Sequence, residues 1–201
     1  YSLSEALLVQ AADDYLARYP ATAIDILLLD RTVNLVEERI DLAVRITNDL
    51  DPNLVARRLG TCHSVVCASP AYLANHAPPQ RVQDLALHNC LAYTYFGKSL
   101  WEFQGPEGPE SVPVSGNLRA NISNLLLAAT LDGAGISLQP AYSVQAHLES
   151  GALVPLLTQW QPKQLGVYAV YGTRKQMSPL LRSFLDFLIA HMADDPLWQA
   201  R

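Results

Sequence analysis

The segment that most limits the fold runs from Ile24 to Ile46, I-D-I-L-L-L-D-R-T-V-N-L-V-E-E-R-I-D-L-A-V-R-I. Ile24 to Leu29 is a short apolar run, the length of a strand covered on both faces. Asp30-Arg31-Thr32 interrupts it. Val33, Val36 and Ile40 then recur at three- and four-residue spacing, with Asn34, Glu37, Glu38 and Arg39 between them. That pattern predicts a short amphipathic helix. Leu42 to Ile46 is apolar again except for Arg45. Strand, helix and strand in that order imply a right-handed crossover and a parallel sheet. Ligands of such sheets bind beyond the carboxyl ends of the strands. Here those ends would be Asp30-Arg31-Thr32 and Arg45-Ile46-Thr47, both polar.

The chain has 201 residues, room for one large domain or two small ones. Half of them are hydrophobic and 16% are charged, which supports a core and argues against disorder. With 14 basic and 19 acidic residues the net charge is −5, so this chain has no electrostatic reason to hold nucleic acid by itself. The cysteines are Cys62, Cys67 and Cys90, an odd count that fits reduced thiols better than a disulfide framework. His63 beside Cys62 and His88 near Cys90 match no zinc spacing, so no metal is expected. No apolar stretch approaches a membrane span. The chain does not begin with Met and is expected to start inside a larger protein.

Taken in order, Ser2-x-x-Glu5 reads as a capping box opening an amphipathic helix that stops at Tyr19-Pro20. Leu54–Leu59 and His63–Ala68 read as two strands on either side of Gly60-Thr61. Ser69-Pro70 caps a short helix, Val82–Leu87 is a helical piece, and Cys90–Tyr95 is a strand. Trp101-Glu102-Phe103 starts a hairpin through Gly105-Pro106-Glu107-Gly108-Pro109, with a strand over Val112–Arg119. Helices are predicted over Asn124–Asp132, from Pro140 to Ser150-Gly151, and after Ser178-Pro179. Strands are predicted over Gly135–Leu138, Leu153–Leu157 and Leu165–Tyr171. Gln161-Pro162-Lys163 reads as a loop, and the chain from Asp194 as a tail. Short strands alternate with helices throughout, so the class is α/β. The lone hairpin suggests a mixed sheet in the middle.

Four stretches occur here in one order: V-N-L-V-E-E-R-I-D-L-A-V-R-I, L-V-A-R-R-L-G, V-V-C-A-S-P-A-Y-L and A-A-T-L-D-G-A-G-I-S-L-Q-P. In wording and order they resemble the effector-binding domain of LysR-type transcriptional regulators, from Ser2 to about Leu188. The resemblance implies two Rossmann-like subdomains of periplasmic-binding-protein type II, joined by two crossover strands near Val65–Ala68 and Val167–Tyr171. It places the first subdomain at 1–66 plus 172–201, without its first strand, and the second at 67–171. It implies a small effector in the cleft between them. It also implies a preceding winged helix-turn-helix, absent from this chain, that binds promoter DNA. The helix Ser2–Arg18 would pair with a partner chain, giving a homodimer or homotetramer in the cytoplasm.

The candidate effector-binding residues follow. Ser2 matches the start of the first helix, where a positive helix end and free N–H groups suit an anion; it equally suits a plain cap. Asn121 and Ser123 stand where a strand meets a helix, with the same two readings. Arg31 and Thr32 fall in the family's cleft-lining loop. Arg45 ends a strand inside an apolar run and needs a partner, either a carboxylate of the protein or an acidic effector. Tyr93 and Tyr95 share one face after Cys90, as an aromatic wall or as core. Gln139 follows a strand and can present polar groups. The five histidines read as ordinary surface or packing residues.

No Gly-x-Ser-x-Gly elbow, P-loop, His-Glu-x-x-His or dinucleotide fingerprint is present, so no catalytic residue and no cofactor is assigned. The two facing helix ends point to an anionic effector, a carboxylate. A solute-binding protein for uptake has the same fold and is the alternative. An enzyme on this fold ranks last, because no acid/base pair is visible.

Overall fold

In a computed structural model of the chain the described residues are 8–29, 33–94, 99–172, 177–193 and 195–199. The Ser2-x-x-Glu5 box and the turn Asp30-Arg31-Thr32 lie outside them. The elements run α1 (Val9–Arg18), β1 (Ala43–Thr47), β2 (Leu54–Cys62), β3 (Ser64–Ala68), α2 (Pro70–Leu73), β4 (Cys90–Tyr93), β5 (Leu100–Gly105), β6 (Gly108–Pro113), β7 (Arg119–Ala120), α3 (Ser123–Leu131), β8 (Ile136–Pro140), α4 (Ala141–Glu149), β9 (Val154–Leu156), β10 (Gln161–Pro162), β11 (Leu165–Gly172) and α5 (Pro179–Ala193). Short 3₁₀ segments cover Val82–Leu87 and Pro196–Trp198. Two compact units divide the chain, and it passes between them at Cys62/His63 and again at Lys163/Gln164.

The unit of residues 63–163 holds a five-stranded mixed sheet in the order β7-β4-β8-β3-β9 and a three-stranded antiparallel sheet in the order β10-β5-β6. Strand alternation explains why the larger sheet is buried on both faces. Val66 and Ala68 of β3 point into one core with Tyr72, Leu85, Trp101, Phe103 and Ile136. Cys67 between them points into a second core with Val144 and Leu153. Thus Cys67 packs as a small core hydrophobe, fully buried. Ser69 caps α2 by accepting from the Tyr72 N–H at 3.4 Å, with Pro70 at the first helical position. Gly133 (φ +86°) ends α3 and Gly151 (φ +75°) ends α4 in the left-handed conformation that suits glycine.

The second unit, residues 8–62 and 164–199 as described, is built on the antiparallel sheet β1-β11-β2. Tyr15 of α1 anchors it. Its ring meets Phe184 and Phe187 edge-on, with centroids 5.1 and 5.4 Å away, and its hydroxyl donates to Ser183 Oγ at 3.1 Å. On α5 the expected apolar stripe buries Leu185, Leu188 and Met192, and Ser178 Oγ accepts from the Leu181 N–H at 3.1 Å.

Several expectations fail, each for a physical reason. Residues 24–29 form no strand, and residues 33–40 form turns rather than a helix. A strand exists only where a neighbour takes its N–H and C=O groups. Among the described residues none pairs with 24–29, so Ile26, Leu27, Leu28 and Leu29 stay exposed. β1 forms as expected, but it pairs antiparallel with β11, Arg45 opposite Tyr168, and not in a parallel sheet. The strand-helix-strand unit does occur, a hundred residues later. β7 and β8 flank β4, both parallel to it, and α3 carries the chain from one to the other.

Gly60 does not break β2. The strand runs through it to Cys62, and a register shift between Val167 and Tyr168 absorbs the irregularity. The second hairpin strand begins at Gly108 rather than Val112, because Pro106-Glu107 alone makes the turn between Gly105 and Gly108. Gln161-Pro162 is not loop but β10, paired with β5. The end of the chain is not a tail, since Trp198 is 2% exposed and packs beside Gly60.

Candidate ligand-binding site

The geometry that matters is the carboxyl edge of three parallel strands. β4 ends at Tyr93, β7 at Ala120 and β8 at Pro140. Ala92 stands opposite Arg119, and Leu91 opposite Ser137, so these ends lie side by side. Edges of this kind leave backbone groups unpaired and face a helix start, which is why open α/β sheets bind ligands there. Asn121 and Ser123 follow β7 directly, and Gln139 is the penultimate residue of β8. Three sequence candidates are therefore gathered at one edge.

α3 starts at Ser123. Its N-cap residue is Ile122, whose side chain makes no capping bond. Isoleucine has no acceptor to offer, so the helix start keeps backbone donors and a positive dipole end that only a neighbouring group or a ligand can satisfy. Asn121 and Ser123 are half-buried on either side of that cap. Each makes interactions of its own.

Beneath α3 lies a one-way chain of buried hydrogen bonds. Thr130 Oγ1 lies 2.6 Å from the Leu126 carbonyl and 2.7 Å from Ser137 Oγ. A hydroxyl carries one proton. Thr130 therefore donates to Leu126, and Ser137 donates to Thr130. Gln139 Nε2 donates to Ser137 Oγ at 3.2 Å. Its Oε1 is left without a partner among the described residues, although Gln139 is fully buried. The sequence points to Gln139 but not to this network. Thr130 and Ser137, small hydroxyl residues inside apolar runs, were the available signal.

Among the described residues Arg45 pairs with a backbone carbonyl and not with a protein carboxylate. Its Nη2 donates to the Val33 carbonyl at 3.0 Å, and among the described residues no carboxylate forms an ion pair with it. Tyr93 is half-buried at the end of β4. Ser2, Arg31, Thr32 and Tyr95 lie outside the described residues. No group of three or more His, Cys, Asp or Glu among the described residues could hold a metal ion. No helix among them is long and apolar enough to cross a membrane.

Two of the scattered histidines are more than surface residues. Tyr72 stacks on His76 at 4.1 Å, and its hydroxyl lies 2.9 Å from His88 Nδ1. Burial, then the nearby His76, holds the His88 pKa below its usual value. Burial alone pushes the Cys62 and Cys90 thiols up to about 12 and is the main cause that raises Cys67 to about 11. These are inert, protonated thiols.

Comparison with known proteins agrees with this geometry. A family model described as the LysR substrate binding domain matches residues 1–193. The HTH-type transcriptional regulator DmlR of Escherichia coli K12 is 36% identical over 181 residues, covering 88% of this chain and 58% of DmlR. The HTH-type transcriptional activator TtdR of the same strain is 32% identical over 182 residues, covering 90% of this chain and 58% of TtdR. The chain thus spans under two thirds of these relatives, which are named as regulators and not as enzymes. The regulatory domain of CrgA, a LysR-type transcriptional regulator from Neisseria meningitidis, superposes with a TM-score of 0.83 at 32% identity, covering 95% of this chain and 94% of that one. The fold is the type II periplasmic-binding-like α/β fold of such domains. The chain belongs to the LysR substrate binding domain family, and its relatives DmlR and TtdR are transcriptional regulators.

Proposed function

We propose that this domain senses a small carboxylate on behalf of a DNA-binding transcription factor. The parent protein would act in the cytoplasm as a homodimer or homotetramer, with a winged helix-turn-helix ahead of this domain reading promoter DNA. The effector would sit between two subdomains, 1–66 plus 172–201 and 67–171. Asn121, Ser123 and Gln139 would meet it from one side, together with Tyr95. Ser2, Arg31, Thr32 and Arg45 would meet it from the other. Binding would change closure of the subdomains, and through subunit packing the spacing of the DNA-binding heads.

The observation that carries this reading is the start of α3. A helix N-terminus whose cap residue, Ile122, has no acceptor in its side chain, at the carboxyl edge of β4, β7 and β8, favours negative charge. A thermal-shift panel of small carboxylates, each paired with its neutral amide or alcohol, tests the reading. Acids are expected to raise Tm while their neutral isosteres leave it unchanged. Equal stabilisation by the neutral compounds would remove the anion from the account.

A further inference from the structure

A cavity of about 280 Å³ opens within the unit of residues 63–163. Its described lining is Ala92, Ser99, Val114, Ser115, Gly116 and Arg119, and α3 contributes nothing to it. None of these residues is acidic. One carries a permanent positive charge and two carry hydroxyls.

The polar groups are already arranged. Arg119 is the first residue of β7 and remains exposed. Its Nη2 donates to Ser99 Oγ. Ser99 is only 7% exposed and sits in the left-handed region at φ +53°. Because Ser99 Oγ accepts from Arg119, its own proton is free to donate. The bond uses one of five guanidinium N–H donors, and among the described residues Arg119 has no carboxylate partner.

The wall is fixed by backbone. The Cys90 N–H donates to the Ser115 carbonyl at 2.9 Å. Gly116 passes so close that a Cβ there would lie 2.1 Å from the Cys90 carbonyl oxygen. Ala92 and Val114 add an apolar part to the lining. The volume lies just below the usual range of ligand pockets, which limits the occupant to an ion with a few carbons.

We propose that this cavity binds a small oxyanion, a carboxylate or phosphate, held by two N–H donors of the Arg119 fork and by the Ser99 hydroxyl. None of its described lining residues is one assigned to the site at α3. The cavity would let the domain respond to a second, simpler anion.

The test is an amide chemical-shift titration of the ¹⁵N-labelled chain with sodium phosphate and, separately, sodium acetate, against sodium chloride at equal ionic strength. Saturable shifts at Ala92, Ser99, Ser115 and Gly116 are expected with at least one of the two oxyanions, and the arm that saturates names the source. Arg119→Gln is expected to weaken that binding by about tenfold or more, the worth of a charge-assisted pair, with the rest of the spectrum unchanged. Should Arg119→Gln fail to fold, Ser99→Ala is expected to weaken binding as well. Shifts that never saturate, that chloride reproduces, or that Arg119→Gln leaves intact would overturn the site. Shifts confined to residues 121–124 would also overturn it, while leaving the proposed function standing.

Discussion

Gln139 is the residue on which structure and function pull apart most plainly. It is fully buried, yet its Oε1 accepts nothing among the described residues. An orphaned buried carbonyl costs stability, so a chain selected for stability alone would not keep it. Gln139→Leu removes that carbonyl together with the Nε2 bond to Ser137 at little change in volume. Its unfolding free energy in urea should fall within about 1 kcal/mol of the parent, or exceed it. A loss above about 3 kcal/mol would make the amide a structural strut.

His88 supplies a pH dependence of definite sign. Its folded-state pKa is below the ordinary value, so the unfolded chain binds the proton first. The contribution of a neutral His88 is whole above about pH 6.5 and is lost as pH falls through the lowered pKa. The Tyr72 hydroxyl 2.9 Å from Nδ1 fits a ring that accepts there, an arrangement that protonation removes. Urea unfolding at pH 7.5 and 5.5 should show a loss at the lower pH, and His88→Gln should shrink it. An unchanged loss in the variant would assign the effect elsewhere. None of this was legible in the sequence, where His76 and His88 stand twelve residues apart and Tyr72 gives no hint of joining them.

At the scale of elements, local signals were legible where the chain itself supplies the partner. Ser69, Ser178, Gly133 and Gly151 mark helix ends correctly because caps act within a few residues. Residues 24–40 misled because strand and helix there depend on a neighbour that the periodicity cannot report. Strand, helix and strand over 112–138 are legible, but the expected strand Val112–Arg119 divides into β6, which ends at Pro113, and the two-residue β7, whose parallel pairing with β4 is too short to read from its pattern.

Gly116 gives this scale its prediction. Its Cα lies against the Cys90 backbone, which cannot retreat without breaking the bond to Ser115. Gly116→Ala should cost about 3 kcal/mol, as overpacking against rigid groups does. Gly172→Ala, with nothing within 4 Å of an added Cβ, should change stability by less than about 0.5 kcal/mol. Equal, small losses in a urea titration would show that the 115–116 segment yields, and the cavity wall with it.

For the whole molecule, the four sequence stretches carried the family, and the match over residues 1–193 accords with them. The site was only partly legible. Asn121, Ser123 and Gln139 gather at one sheet edge, whereas Arg45 turns to the Val33 carbonyl. The central claim is that the start of α3 holds a ligand's negative charge and is not a mere helix boundary. Calorimetric titration of the stabilising acid into the parent chain and Asn121→Ala, with urea unfolding of both, tests it most directly. The account predicts that affinity falls about tenfold or more while unfolding free energy stays within about 0.5 kcal/mol. Unchanged affinity beside a clear loss of stability would contradict it.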